Sequence, residues 1–90
     1  MAMFKNKVSV SLSDYGVQEL GEILRMWIKK SPVGGHYINC NSVDPVGPYF
    51  LMQLQTQHSE SEFIDFEVQV PHACIRAIIT APDLKKLGFV

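Results

Sequence analysis

Residues 49–70, which read YFLMQLQTQHSESEFIDFEVQV, decide the fold of this chain. Apolar and polar side chains alternate in both halves, and this period of two is typical of strands with one buried face. In the first half the inward row is Phe50, Met52 and Leu54, and the outward row is Tyr49, Leu51, Gln53, Gln55 and Gln57. The polar segment His58–Ser61 separates the halves, so the stretch predicts two antiparallel strands joined in a hairpin.

An amphipathic helix is predicted before this hairpin, starting at the N-cap residues Ser13 and Asp14. Its apolar residues recur at spacings of three and four and therefore share one face: Val17, Leu20, Leu24, Trp27 and Ile28. Lys29–Lys30 closes the helix, where the helix dipole favours positive charge. Ser31–Pro32 and Gly34–Gly35 then end it.

Shorter strands are predicted on both sides of these elements. Val8–Leu12 alternates as a half-buried strand, and His36–Asn41 is a second one, followed by bends at Asp44–Pro45 and Gly47–Pro48. After a break at Pro71, the mostly apolar segment Cys74–Thr80 predicts a strand that is buried on both faces or covered by a partner. The predicted fold class is α+β, with an N-terminal amphipathic helix followed by a strongly bent antiparallel sheet.

Length and composition indicate one globular domain over residues 1–90, with Met1–Lys7 as a loosely held arm. Eight Lys and Arg residues against nine Asp and Glu residues argue against the broad positive surface that binds duplex DNA. The amino-terminal residues lack the pattern of a secretory signal, and the apolar stretches are shorter than a membrane span. We therefore expect a cytoplasmic protein with no membrane partner.

Catalytic and metal-binding patterns are weak. Cys40 and Cys74 are expected to be free, buried thiols, because no secretory signal accompanies them. His36 and Cys40 lie about 13 Å apart along a predicted strand, too far to share one metal ion. His72 and Cys74 are closer, but without the ligand spacing that is typical of zinc sites. We predict no enzyme, no cofactor and no metal site; the alternative of a cysteine or metal enzyme requires Cys74 to be reactive.

Binding is better supported, because the outward row of the first hairpin strand is uncharged and mixes an aromatic ring with amides. Aromatic rings stack on bases and amides hydrogen-bond to base edges, which suits single-stranded nucleic acid. The same row is equally typical of the edge of a protein–protein interface. His72 follows Pro71 on a rigid turn and should be exposed, as a contact residue or as a plain connector.

The segment Val70-Pro71-His72-Ala73-Cys74-Ile75 resembles the link between the last two strands of the bacterial Sm-like RNA chaperones of the Hfq type. Asp44, followed by Tyr49–Phe50 and an apolar strand, is similar to the aspartate-then-strand pattern of that family. The resemblance implies an Sm-like barrel in which Cys74–Thr80 pairs with the next subunit and closes a ring. It also implies that His72 contacts a nucleotide, that Asp44 is a structural and recognition position, and that Tyr49 stacks on a base.

Two hypotheses on function follow. The first is a small, non-enzymatic homo-oligomer that joins through Cys74–Thr80 and binds single-stranded RNA in an Sm-like ring. The second is a protein-interaction or assembly module that binds no nucleic acid. It is motivated by the slightly acidic balance and by Pro71, which stands where the family has a lysine.

Overall fold

The computed structural model describes residues 8–32 and 35–89, in which strands make up more than half of the residues. The strands form two antiparallel sheets, one with the order β2-β3-β1-β7 and the other with the order β4-β5-β6. The predicted α+β Sm-like barrel is therefore wrong: within the described ranges the sheets stay separate, and no barrel closes. The predicted Met1–Lys7 arm lies outside these ranges.

The elements follow one another closely along the chain. The strands are β1 (Val8–Leu12), β2 (Ile28–Ser31), β3 (Gly35–Cys40), β4 (Ser42–Val46), β5 (Tyr49–Ser59), β6 (Glu62–Pro71) and β7 (Ile75–Thr80). The helix α1 spans Asp14–Leu20, and two 3₁₀ turns span His72–Cys74 and Lys85–Leu87. Of the helices in the described part of the chain, none is long and apolar enough to cross a membrane.

The predicted hairpin is confirmed. β5 and β6 pair in register from Tyr49 opposite Pro71 to Gln57 opposite Phe63. Met52 and Leu54 are fully buried between the two sheets, as their inward positions predict. A second hairpin precedes it, because Asp44–Pro45 continues β4 instead of bending, and Gly47–Pro48 turns the chain. Gly47 has a φ of 59°, and proline fixes its own φ near −65°, the combination of a type II′ hairpin turn.

The helix is correctly predicted at its start and wrong at its end. Ser13 caps it, because its Oγ accepts a hydrogen bond from the Gly16 N–H at 3.0 Å. However, α1 ends at Leu20, residues 21–27 form turns, and Ile28–Ser31 is a strand. A helix would cost about 1 kcal/mol at Gly21, whereas the turn lets Ile28 pair with Ile38 of β3.

The start of helix α1 is hydrogen-bonded to the turn between β6 and β7. Ser13 donates its hydroxyl to the carbonyl oxygen of Ala73 at 2.6 Å, and its N–H donates to the carbonyl of Cys74 at 3.0 Å. Gly16 of α1 lies directly against the backbone of Cys74. This junction fixes where β7 begins.

β1 lies at the centre of the four-stranded sheet, between β3 and β7. It was predicted to be half-buried, but both of its faces are covered. Val10 and Leu12 face the main core, while Ser9 and Ser11 are buried on the other side. A second core of Tyr37, Leu84 and Phe89 covers that side. The C-terminal segment thus forms an additional layer over the sheet.

β7 is an edge strand, which corrects the prediction that Cys74–Thr80 is buried on both faces. Within residues 8–32 and 35–89, β7 pairs with β1 alone, in a register that places Ile78 opposite Val10. Ile78 is 41% exposed, whereas Val10 is fully buried. The alternative of the sequence prediction, a covering partner, is therefore the one that remains open.

Candidate binding face of the three-stranded sheet

The register of the three-stranded sheet places most of the predicted binding residues on one surface. Residues directly opposite each other on antiparallel strands point to the same side. Asp44 lies opposite Leu51, and Tyr49 lies opposite both Val46 and Pro71. We call this side, opposite the buried Met52 and Leu54, the outer face. Its polar residues are Ser42, Asp44, Gln53, Gln55, Gln57, Asp65, Glu67 and Gln69.

The three sequence-predicted site residues are only partly brought together. Asp44 and Tyr49 share the outer face, and Tyr49 is 43% exposed. His72 is exposed in the 3₁₀ turn, where its ring packs against Phe50 with 4.3 Å between the ring centroids. Phe50 points to the opposite side from Tyr49, because successive strand residues alternate. His72 therefore sits at the same end of the sheet but not on the outer face with Asp44 and Tyr49.

Charge is strongly segregated between the two sheets. Residues 31–75 contain five carboxylates and no lysine or arginine, a formal charge of −5; the rest carries eight basic and four acidic residues, a charge of +4. The carboxylates are Asp44, Glu60, Glu62, Asp65 and Glu67. The whole three-stranded sheet thus lies in the acidic segment. Such a surface repels the phosphates of nucleic acid, which are bound elsewhere by lysine and arginine.

Of the three glutamines that β5 places on the outer face, Gln57 is exposed, whereas Gln53 and Gln55 are half-buried and hydrogen-bonded to carboxylates. Gln53 donates its Nε2–H to the Oε1 of Glu67 at 3.2 Å. Gln55 donates in the same way to the Oδ1 of Asp65 at 3.1 Å. These cross-strand bonds hold the two carboxylates in fixed positions, and each carboxylate keeps its second oxygen for another partner. The alternation of the sequence indicated the outward glutamines, but only the strand register shows that Glu67 and Asp65 lie opposite them.

An open cleft of about 500 Å³ runs beside these carboxylates, lined by Asn41, Gln53, Asp65, Phe66 and Glu67. Asn41 lies at the corner where the chain passes from β3 to β4, and its N–H donates to the carbonyl of Gln53 at 2.9 Å. Its side-chain amide is unusual, because both polar atoms are buried and have no hydrogen-bond partner in the part of the chain that the structure describes. Leaving such atoms unpaired costs about 1–3 kcal/mol each. Nothing in the sequence pattern marks Asn41 as special.

The cysteines are free thiols, and both are buried in the main core. Burial raises the pKa of the Cys40 thiol to about 12. Burial and, to a smaller extent, the carboxylate of Glu19 raise the pKa of Cys74. Among the described residues, no three His, Cys, Asp or Glu side chains gather in a way that would hold a metal ion.

We expect both thiols to react slowly with a chromogenic disulfide reagent at pH 8 in the folded protein and rapidly in denaturant. With a pKa of about 12, only about one Cys40 in ten thousand is a thiolate at that pH. The folded thiol holds its proton up to about pH 12, whereas an unfolded thiol loses it near pH 9. The contribution of the buried Cys40 thiol to the free energy of unfolding is therefore complete below pH 9 and declines as the pH rises towards 12. Fast labelling of Cys74 in the folded protein would revive the cysteine-enzyme alternative.

Comparisons with models of protein families, with curated proteins and with solved structures find no match for this chain. They neither support nor oppose the resemblance to Sm-like proteins, which stays a prediction.

Proposed function

We propose that this chain is a non-enzymatic assembly module that self-associates through β7. The observation that carries the proposal is the exposed edge of this strand. Residues 77–80 of β7 are uncharged, and Ile78 is 41% exposed. A free strand edge presents unpaired backbone N–H and C=O groups, which readily pair with another strand.

The other sheet edges carry groups that discourage pairing. β2 bears Lys29–Lys30, β4 contains Pro45, and β6 carries Asp65 and Glu67. Charges and proline are the usual devices that keep an edge strand from adding a neighbour. β7 has only Arg76, and its guanidinium Nη2 donates to the Ser11 Oγ at 3.2 Å, which draws that charge towards β1.

A second copy of the chain suits this edge. Two β7 strands running antiparallel across a two-fold axis would present the same surface to each other, as in most symmetric dimers. If Ile78 lies on the axis, Arg76 meets Thr80 of the partner copy, so the two arginines do not face each other. Ile78 faces the main core side with Val10, so pairing would extend the two cores into one.

Binding of single-stranded RNA at His72, Asp44 and Tyr49 is the weaker reading. The carboxylates of the outer face and the lack of lysine and arginine from residue 31 to residue 75 weigh against it. We therefore favour the assembly module. An RNA-binding assay on the purified protein serves as the check on this preference.

The test is the oligomeric state of the Ile78→Lys variant, measured by light scattering across a concentration series. We expect a dimer or larger assembly for the parent chain and a monomer for the variant, because the buried ammonium group would oppose pairing. Ile64→Lys is the matched control, since Ile64 is 45% exposed on β6 and lies away from β7. This control should assemble like the parent.

A parent chain that is monomeric at all concentrations would refute the proposal. So would equal loss of assembly in both variants, provided that circular dichroism shows both to be folded. A clear gel shift with short A- or U-rich RNA would instead favour the nucleic-acid reading.

A further inference from the structure

We infer that the outer face of the three-stranded sheet docks a basic polypeptide segment, whose lysine or arginine side chains lie against Asp65 and Glu67. The inference is independent of β7, because it rests on the other sheet. The partner class follows from charge complementarity: the segment 31–75 has a formal charge of −5 and contains no lysine or arginine.

The carboxylates of Asp65 and Glu67 are positioned by hydrogen bonds from neighbouring side chains. Each accepts one hydrogen bond from a neighbouring glutamine, Glu67 from Gln53 at 3.2 Å and Asp65 from Gln55 at 3.1 Å. These bonds fix the side chains before a partner arrives, so less conformational entropy is lost on binding. The other oxygen of each carboxylate accepts no hydrogen bond from residues 8–32 and 35–89, and an ammonium or guanidinium group would supply the donor.

The cleft of about 500 Å³ gives such a side chain a place to lie. Asp65 and Glu67 line it, together with Asn41, Gln53 and Phe66. The carboxylates of Asp65 and Glu67 are therefore the groups that a cationic side chain in the cleft would contact.

The far end of the outer face favours a polypeptide over a small cation. Val46 is 47% exposed and Tyr49 is 43% exposed, and they lie opposite each other in the register. Apolar and aromatic surface beside carboxylates suits a segment that carries both basic and apolar side chains, and Tyr49 can also receive a cation on its ring. A metal ion would make no favourable contact with this apolar end of the face.

The experiment measures the fluorescence anisotropy of two labelled peptides of equal length, one with alternating lysine and leucine and one with glutamate in place of lysine. We expect the parent chain to bind the basic peptide alone. The double variant Asp65→Asn and Glu67→Gln, which keeps side-chain shape, should bind about tenfold more weakly. The matched control is Glu60→Gln with Glu62→Gln, which removes the same charge at the hairpin tip and should change the affinity less than twofold.

Equal weakening by both double variants would show general charge attraction and would overturn the inference. No binding of the basic peptide by the folded parent would also overturn it, as would tighter binding of a single-stranded RNA of similar length. The monomeric variant Ile78→Lys should bind the peptide as the parent does, so that failure of the assembly proposal and failure of this inference give different results.

Discussion

Replacement of Gly16 by alanine should lower the free energy of unfolding by more than about 3 kcal/mol, enough to unfold much of a small domain. A Cβ at this position would clash with the backbone carbonyl of Cys74, lying 2.9 Å from both its carbonyl carbon and its Cα. Backbone cannot move aside as the end of a flexible side chain can. The clash falls where Ser13 joins α1 to the turn that starts β7.

Urea unfolding followed by circular dichroism would measure this effect. Gln18→Ala is the control, because Gln18 is exposed in the same helix and its replacement should change the stability by less than about 0.5 kcal/mol. A Gly16→Ala protein as stable as the parent would show that the contact between α1 and the 3₁₀ turn is looser than described. Loss of stability in both variants would instead point to the helix itself.

Replacement of Trp27 by alanine should cost about 3 kcal/mol, the lower end of the range for large aromatic residues because the side chain is only half-buried. Its indole Nε1–H donates to the carbonyl of Gln55 at 3.3 Å. Its ring meets the ring of Phe66 edge to face, with 5.2 Å between the centroids. Trp27 thus anchors residues 21–27 to the three-stranded sheet and sets the start of β2.

The variant Trp27→Phe separates the contributions of the ring contact and the hydrogen bond to stability. Phenylalanine keeps the ring contact and loses the hydrogen bond. We expect that variant to lose about 1 kcal/mol. Thermal unfolding by circular dichroism suits both variants, since Trp27 is the only tryptophan and fluorescence disappears with it. A Trp27→Ala protein within 1 kcal/mol of the parent would contradict the anchoring role.

The proposed interactions use opposite parts of the molecule. Self-association uses β7 at the edge of the four-stranded sheet, and the basic segment docks on the outer face of the three-stranded sheet. The separation follows the charge distribution, because the acidic segment 31–75 contains all of the three-stranded sheet and only the first residue of β7. A module of this kind would place two acidic faces in one assembly, which raises the avidity for a partner with repeated basic segments.

Local patterns in the sequence predicted the β5–β6 hairpin, β3 to within one residue, the Ser13 cap and the outer-face position of Tyr49. Each of these depends on side-chain alternation or on chemistry within a few residues, which the sequence shows directly. The same reasoning failed after Leu20. Leu24 is buried and Ile28 half-buried, as the helical spacing indicated, but a series of turns followed by a strand satisfies that spacing equally well.

Only the tertiary structure decided which strands became neighbours. The choice placed β1 between β3 and β7, left β7 at an edge, kept the two sheets from closing into a barrel, and set Gln53 and Gln55 opposite Glu67 and Asp65. The amphipathic pattern of a strand states which face is buried but not which strand lies beside it. Pairing depends on contacts between residues far apart in the chain, such as Val10 with Ile78, and these contacts form only when the whole domain packs.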